Sequence, residues 1–216
     1  RIASARSAVD LGLIEAISKE FQKNNPGLKI HNSYGGVVNV IENAQEGLAD
    51  VVLTHHQPGE KRFVEQGFGI LHTQLMYTEY ALFGPADSEI QFMKANDIVD
   101  ILRQLKEEEV DFLVPSPRSG TYMKVDELWT SAGISPDWLG YENSGASGYA
   151  TLLQAAEFGY YTIAEMGTFL ANKEKVADSL SVLYRGDMLL RNIYSLTVVN
   201  PEVVKGVNFE LGARFL

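Results

Sequence analysis

A chain of 216 residues that is 45% hydrophobic and carries 10 Tyr, 10 Phe and 2 Trp can bury one large core or two smaller ones, which excludes a disordered chain. Its 28 Asp+Glu against 18 Lys+Arg give a formal charge of −10, which argues against nucleic-acid or anionic-membrane binding, since both need basic stripes. The absence of cysteine removes disulfides, zinc thiolates and cysteine nucleophiles.

Taken in order, "RIASA" predicts a first strand, so any export signal is expected to have been removed upstream of it. "VDLGLIEAISKEFQKN" places Leu13, Ile14, Ile17 and Phe21 on one helical face. "PGLKIHNSY" supplies a stop and a second strand, and "VVNVIENAQEGL" a second helix. "ADVVLTH" is a third, buried-type strand, followed by the short helix "GEKRFVEQG". This β-α-β-α-β-α order belongs to a parallel sheet covered on both faces. No apolar stretch approaches the roughly 20 residues that span a bilayer.

The rhythm changes at "TQLMYTEYALFGP", a long β-rich run suited to a crossing between lobes. A second alternation follows: helix "ANDIVDILRQLKEEE", strand "DFLV", helix "TYMKVDELWTSAG", strand "WLGYE", helix "GYATLLQAAEFG", then "YYTIAEMGTFLANK". "SLSVLYRGDMLLRNIYSLTVVN" returns the chain to the first lobe, where "VNFELGARFL" forms a terminal helix. The expected fold is α/β and two-lobed, each lobe a mostly parallel sheet flanked by helices, joined by two extended crossings. Residues 1–82 with 192–216 form the first lobe and residues 83–191 the second. The "KEEE" run, Lys106 to Glu109, reads as a solvated helix end. Trp129, Trp138 and the pair Tyr160-Tyr161 read as core rather than as ligand stackers.

Three strand-to-helix turns share a composition. "SARSAVD" offers Ser4, Arg6 and Ser7, with Ser7 and Asp10 at the S-x-x-D spacing of a capping box. "PSPRSGT" offers Arg118, Ser119, Gly120 and Thr121, and "NSGASG" offers Ser144 and Ser147. Each turn alone is as well explained by ordinary helix capping. Their convergence is not: ligands of open α/β sheets gather at the carboxyl ends of strands, where helix N-termini and hydroxyls favour negative charge. Arg6 and Arg118 add guanidinium forks suited to a carboxylate or phosphate-like group, the alternative being that each pairs with a neighbouring acid such as Asp10.

Enzyme signatures are missing. "GASGY" departs from G-x-S-x-G at its last position, and there is no P-loop, dinucleotide fingerprint, H-E-x-x-H or EF-hand loop. His55 and His56 are adjacent on a strand end, so they point to opposite faces and cannot readily chelate one metal. The expectation is a protein without catalytic residues, cofactor or metal.

With these residues in view, the chain resembles the tungstate-binding periplasmic solute-binding proteins of ABC transporters, within the type II periplasmic-binding fold. The likeness runs through "SARSAVDLGLI", "LADVVLTHHQPGEKRFVEQGFG", "LMYTEYALFGP", "RSGTYMKVDELWTSAGI", "SGASGYATLLQAAEFGYYTIAEMGTFLA" and "VNFELGARFL". It implies two lobes that clamp a small anionic ligand, delivery to a membrane permease, a monomer, and a periplasmic or extracellular location. It also shows departures. The family's threonine run ending in serine reads Ser4-Ala5-Arg6-Ser7 here, and its Ser-Arg-Gly-Asp quartet reads Val114-Pro115-Ser116-Pro117. Its Gly-Thr-Gly has become Gly36-Val37-Val38, and its Asp-Arg-Gly-Thr has become Glu165-Met166-Gly167-Thr168. Lost hydroxyls and relocated arginines favour a carboxylate-bearing or larger anion, with a tungstate- or molybdate-like oxyanion as the other possibility. The effector-sensing domain of a LysR-type regulator, which has the same architecture, is the alternative function.

Overall fold

The computed structural model describes residues 1–90, 92 and 95–216. Its elements in chain order begin with β1 (Ile2–Ala5), α1 (Arg6–Asp10), α2 (Leu13–Asn24), β2 (Asn32–Gly35), α3 (Val37–Gln45), β3 (Val51–Thr54) and α4 (Gln57–Glu65). The long β4 (Gly69–Pro85) leads to α5 (Ile98–Glu107), β5 (Phe112–Val114), α6 (Gly120–Ala132), β6 (Tyr141–Asn143), α7 (Gly148–Phe158) and β7 (Thr162–Glu165). The chain ends with α8 (Met166–Ala171), α9 (Lys173–Val176), β8 (Leu180–Tyr184), β9 (Arg191–Val199) and α10 (Phe209–Phe215). It divides into two compact units, one of Arg1–Tyr77 with Ile193–Leu216 and one of Thr78–Asn192. The strands β4 and β9 carry the chain from one unit to the other.

In the first unit β1 pairs in parallel with both β2 and β3, and the returning β9 lies antiparallel to β3. Strand alternation divides the side chains between two cores. Ala3, Val52 and Val199 pack with Val40 and Ala44 of α3 and Phe63 of α4. Ile2, Leu53, Tyr194 and Leu196 pack on the other side with Ala8 of α1 and Ile14 of α2. The stretch read as one helix from Val9 is two helices, because Gly12 adopts a left-handed conformation (φ 71°) that ends α1 and starts α2. The second strand is shorter than "PGLKIHNSY", beginning only at Asn32, beyond the turn where Gly27 is left-handed (φ 90°).

In the second unit β7 and β8 flank the latter half of β4, both antiparallel, while β5 and β6 run parallel. The main core is built where the amphipathic α5 lays Ile98, Ile101, Leu102 and Leu105, all fully buried, against Phe112, Trp129 and Trp138. Each such side chain contributes about 1.5–3 kcal/mol when removed from water. Asp97 caps this helix by accepting the Asp100 N–H at 2.9 Å. Trp129 and Trp138 meet edge to face at 5.6 Å, and Trp138 Nε1 donates to the Val110 carbonyl at 2.7 Å. These are core side chains, as the sequence suggests.

One polar knot fastens the first unit. The Arg1 guanidinium donates to Asp50 Oδ1 at 2.7 Å and to the Gly47 carbonyl at 2.8 Å, and the Asn208 N–H reaches the same Asp50 oxygen at 2.8 Å. Burial pushes the Asp50 carboxyl upward, but the hydrogen bonds, Arg1 foremost, outweigh it and hold it below its ordinary value of 3.8. A depressed carboxyl stabilises the fold above its unfolded value and loses that contribution as pH falls through the native one. Asp50→Asn is therefore expected to cost about 1–3 kcal/mol at neutral pH and to flatten the loss of stability below about pH 4. Urea titrations of both proteins between pH 7 and pH 3 measure this.

Candidate functional site

At the carboxyl ends of the first unit's strands, register decides which side chains share a face. Ser4 lies opposite Leu53 across β1 and β3, and His55, two residues beyond Leu53, falls on the same side. The His55 ring stacks on Tyr194 with centroids 4.9 Å apart. Ser4 is fully buried and its Oγ has no hydrogen-bond partner. Immediately after β1 the chain enters α1 without a side-chain cap, Ala5 being the N-cap residue. Ser7 and Asp10 are both inside this helix, so their spacing is not a capping box. Ser7 Oγ instead accepts from the Tyr194 hydroxyl at 2.8 Å and lies 3.0 Å from His55 Nε2. Arg6 Nε donates to Asp10 Oδ1 at 3.0 Å, and its guanidinium lies 4.9 Å above the exposed Tyr34 ring. The acidic neighbour weighed as the alternative partner of Arg6 is thus the one it takes.

The opposite face holds a buried carboxylate. Thr54 donates to Glu60 Oε1 at 2.7 Å, and His72 Nε2 lies 3.7 Å from Glu60 Oε2 while its Nδ1 meets Thr197 Oγ1 at 2.8 Å. His56 packs on the start of α4, where a Cβ on Gly59 would come within 2.8 Å of its Nδ1. The two adjacent histidines diverge just beyond the end of β3, His56 being the N-cap residue of α4.

In the second unit the two remaining turns are joined. Pro117 and Arg118 occupy the centre of a turn closed by the Ser119 N–H on the Ser116 carbonyl at 2.8 Å, the position where proline's fixed φ is favoured. The Ser116 N–H donates to the Ala146 carbonyl and the Ser144 N–H to the Val114 carbonyl, each at 2.8 Å. The side-chain amide of Asn143 adds a bond to the Pro115 carbonyl at 3.1 Å. The starts of α6 and α7 consequently approach so closely that a Cβ on Gly148 would lie 3.1 Å from Thr121 Oγ1. Gly120 opens α6, where a larger residue is not needed for capping.

The hydroxyls differ in what they can offer. Ser119 accepts the Thr121 N–H at 3.1 Å and Ser147 the Ala150 N–H at 3.4 Å, so each N-cap uses a lone pair and keeps its hydrogen. Ser144 does not keep its own. Thr151 donates its hydrogen to the Ser147 carbonyl at 2.9 Å, so the 2.7 Å contact between Ser144 Oγ and Thr151 Oγ1 requires Ser144 to be the donor. Arg118 is exposed at the head of its turn. Thr121 is buried and hydrogen-bonded to Tyr80, whose hydroxyl burial, aided by the charge of Glu165, holds well above its ordinary pKa. Tyr80 and Glu165 are cross-strand partners, and Thr78 donates to the buried Glu165 carboxylate at 3.2 Å.

Tyr194 and Tyr80 escape a reading from sequence because each is an ordinary strand residue, and Glu165 enters it only as a departure from the family's Asp-Arg-Gly-Thr. Only the register of β3 with β9 and of β4 with β7 brings them to a turn.

Residues 2–216 match the family model described as the PBP superfamily domain. A tungstate-binding protein TupA from Peptoclostridium acidaminophilum is 32% identical over 215 residues, covering 99% of this chain and 74% of that protein. Among solved structures, that of the tungstate ABC transporter from Geobacter sulfurreducens superposes with a TM-score of 0.87 at 28% identity, covering 99% of this chain and 90% of that one. A LysR substrate binding domain of a periplasmic protein from Wolinella succinogenes gives a TM-score of 0.63 at 26% identity, covering 100% of this chain and 92% of that one.

If Ser119 is used as a cap through a lone pair alone, Ser119→Ala should lower stability by about 1 kcal/mol and Ser119→Asp should restore it. Denaturant unfolding at pH 7 gives both values.

Proposed function

The chain belongs to the PBP superfamily, and on that premise we propose that it is a solute-binding protein for a small anion, a tetrahedral oxyanion of the tungstate or molybdate kind, which it presents to the permease of an ABC transporter. The observation that carries this reading is the meeting of α6 and α7 at Thr121 and Gly148, which brings two capping hydroxyls and two helix N-termini into one corner. The candidate anion ligands in the second unit are Arg118, Ser119, Gly120, Thr121 and Ser147, with Ser144 shaping the turn. Those in the first unit are Ser4 and Ser7, with Arg6 contributing charge close to Ser7.

The preference for a larger, carboxylate-bearing ligand leans on two guanidinium forks. Arg6 is engaged by Asp10, so half of that argument falls away, and the relatives named for tungstate favour an oxyanion. The lower TM-score of the LysR domain makes an effector-sensing role the weaker alternative. In this reading the protein binds without turnover, works as a monomer outside the cytoplasm, and meets the membrane only through its permease. No helix among the described residues is long and apolar enough to cross a membrane.

A thermal-shift panel of tungstate, molybdate, sulfate, simple carboxylates and amino acids tests the ligand class. The right anion at 100 times its dissociation constant should stabilise the protein by about 2.7 kcal/mol. Shifts with carboxylates or amino acids alone would reject the oxyanion. Arg118→Ala should weaken binding at least about tenfold, the worth of one charge-assisted hydrogen bond. Ser119→Asp, which keeps the cap and adds a negative charge, should abolish binding while leaving the unfolding midpoint in place. Calorimetry with each variant decides.

A further inference from the structure

Ser7, His55 and Tyr194 form a chain of hydrogen bonds whose direction is constrained by counting hydrogens. Ser7 Oγ owns one hydrogen and two lone pairs. The Tyr194 hydroxyl donates into one lone pair at 2.8 Å, and His55 Nε2 lies 3.0 Å away on another side. If Nε2 is bare, Ser7 must donate to it, and an approaching anion meets only a lone pair. If Nε2 carries a hydrogen, it donates to Ser7, and the Ser7 hydrogen is turned outward. Only the second arrangement suits an anion.

Rotation of the ring is opposed by its surroundings, because His55 is 9% exposed and stacked on Tyr194 at 4.9 Å. An independent feature points to a ligand on the same side: the fully buried Ser4 Oγ, without a partner, shares that face through its register with Leu53. Of the titratable groups near the ring, α1 contributes Arg6 and Asp10, whose charges offset each other in their 3.0 Å pair, and β9 contributes Tyr194 itself. On β2 Tyr34 lies under Arg6, while His56, Glu60 and His72 belong to the other side of the sheet.

We propose that His55 is a positioning residue for the anion: it acts through Ser7, and binding of the anion draws a proton onto its imidazole. The inference rests on the oxyanion reading above and assigns that site a built-in dependence on pH. The imidazolium carries hydrogen on Nε2 in every case and adds a positive charge behind the hydroxyl. A form favoured by the ligand must respond to it by population shift, so affinity falls as pH rises through the ring's titration.

Calorimetry with sodium tungstate, in two buffers of different ionisation enthalpy between pH 5.5 and pH 8.5, measures the linkage. The expected result is uptake of up to about one proton per tungstate and an affinity about tenfold weaker at the alkaline end. His55→Gln supplies a donor that cannot titrate, so it should bind tungstate with a flat profile and without proton uptake. It also controls for protonation of tungstate itself, which wild type and variant share. His55→Ala should lose about tenfold at pH 5.5. Identical pH profiles in wild type and His55→Gln would overturn the relay and leave the oxyanion reading standing. Failure of tungstate, molybdate and sulfate to bind at any pH would overturn both. Should the variants fold poorly, nitrogen NMR of the wild-type imidazole decides: Nε2 must gain hydrogen on adding tungstate, and an unchanged Nε2 refutes the relay.

Discussion

A fully deprotonated oxyanion brings only lone pairs, so every group that meets it must present a hydrogen. A charged guest taken out of water without enough donors pays heavily in lost hydration. Which hydroxyls still have a hydrogen to give is therefore the constraint from which the chemistry of this protein follows. Ser119 and Ser147 cap their helices through lone pairs and retain their hydrogens. Ser144 has given its own to Thr151 and serves the turn. Ser7 holds or releases its hydrogen according to the state of a neighbouring imidazole.

Carboxylates are the natural competitors for such donors, and the fold confines them. Glu60 lies across the first unit's sheet, fed by Thr54, on the face opposite Ser4 and His55. Glu165 is buried next to Tyr80 and held by Thr78. Burial and the Glu165 charge both resist ionisation of Tyr80, and its hydrogen bond with Thr121 offsets them only in part. The backbone around the second unit's turns is equally committed, with Ser116, Ser144 and Asn143 each tied across to the neighbouring segment. A corner so cross-linked is ordered in advance, so the anion proposed for it would lose little entropy to rearrangement on binding.

What the sequence discloses is what local rules govern. The stripe Ile98, Ile101, Leu102 and Leu105 announces a helix whatever surrounds it, and proline at the second position of "SPRS" announces a turn. The S-x-x-D spacing of Ser7 and Asp10 misleads for a physical reason. A capping box requires its serine outside the first turn, and α1 already begins at Arg6, freeing Ser7 for Tyr194 and Asp10 for Arg6. Alternation points His55 and His56 apart, although both lie just beyond the end of β3. It cannot say which partner either will find, because Ser4, Leu53 and Tyr194 meet through pairings between strands far apart in the chain. Donors are thus legible as residue types in turns, whereas the direction of their hydrogen bonds depends on register.

A net charge of −10 repels an anion at long range, but magnitudes settle how much this matters. Two unit charges about 20 Å apart in water interact by about 0.2 kcal/mol, and salt with a screening length of about 8 Å removes most of that. A charged hydrogen bond contributes about 1.5–3 kcal/mol at contact. A few donors at one corner therefore outweigh the whole dispersed surface, and the acidic exterior influences the rate of encounter more than the depth of binding. It follows that selectivity among anions of equal charge cannot come from the field of the molecule. It must come from how many hydrogens can be aimed at the guest at once, and in the first unit that number changes by one with the proton on His55.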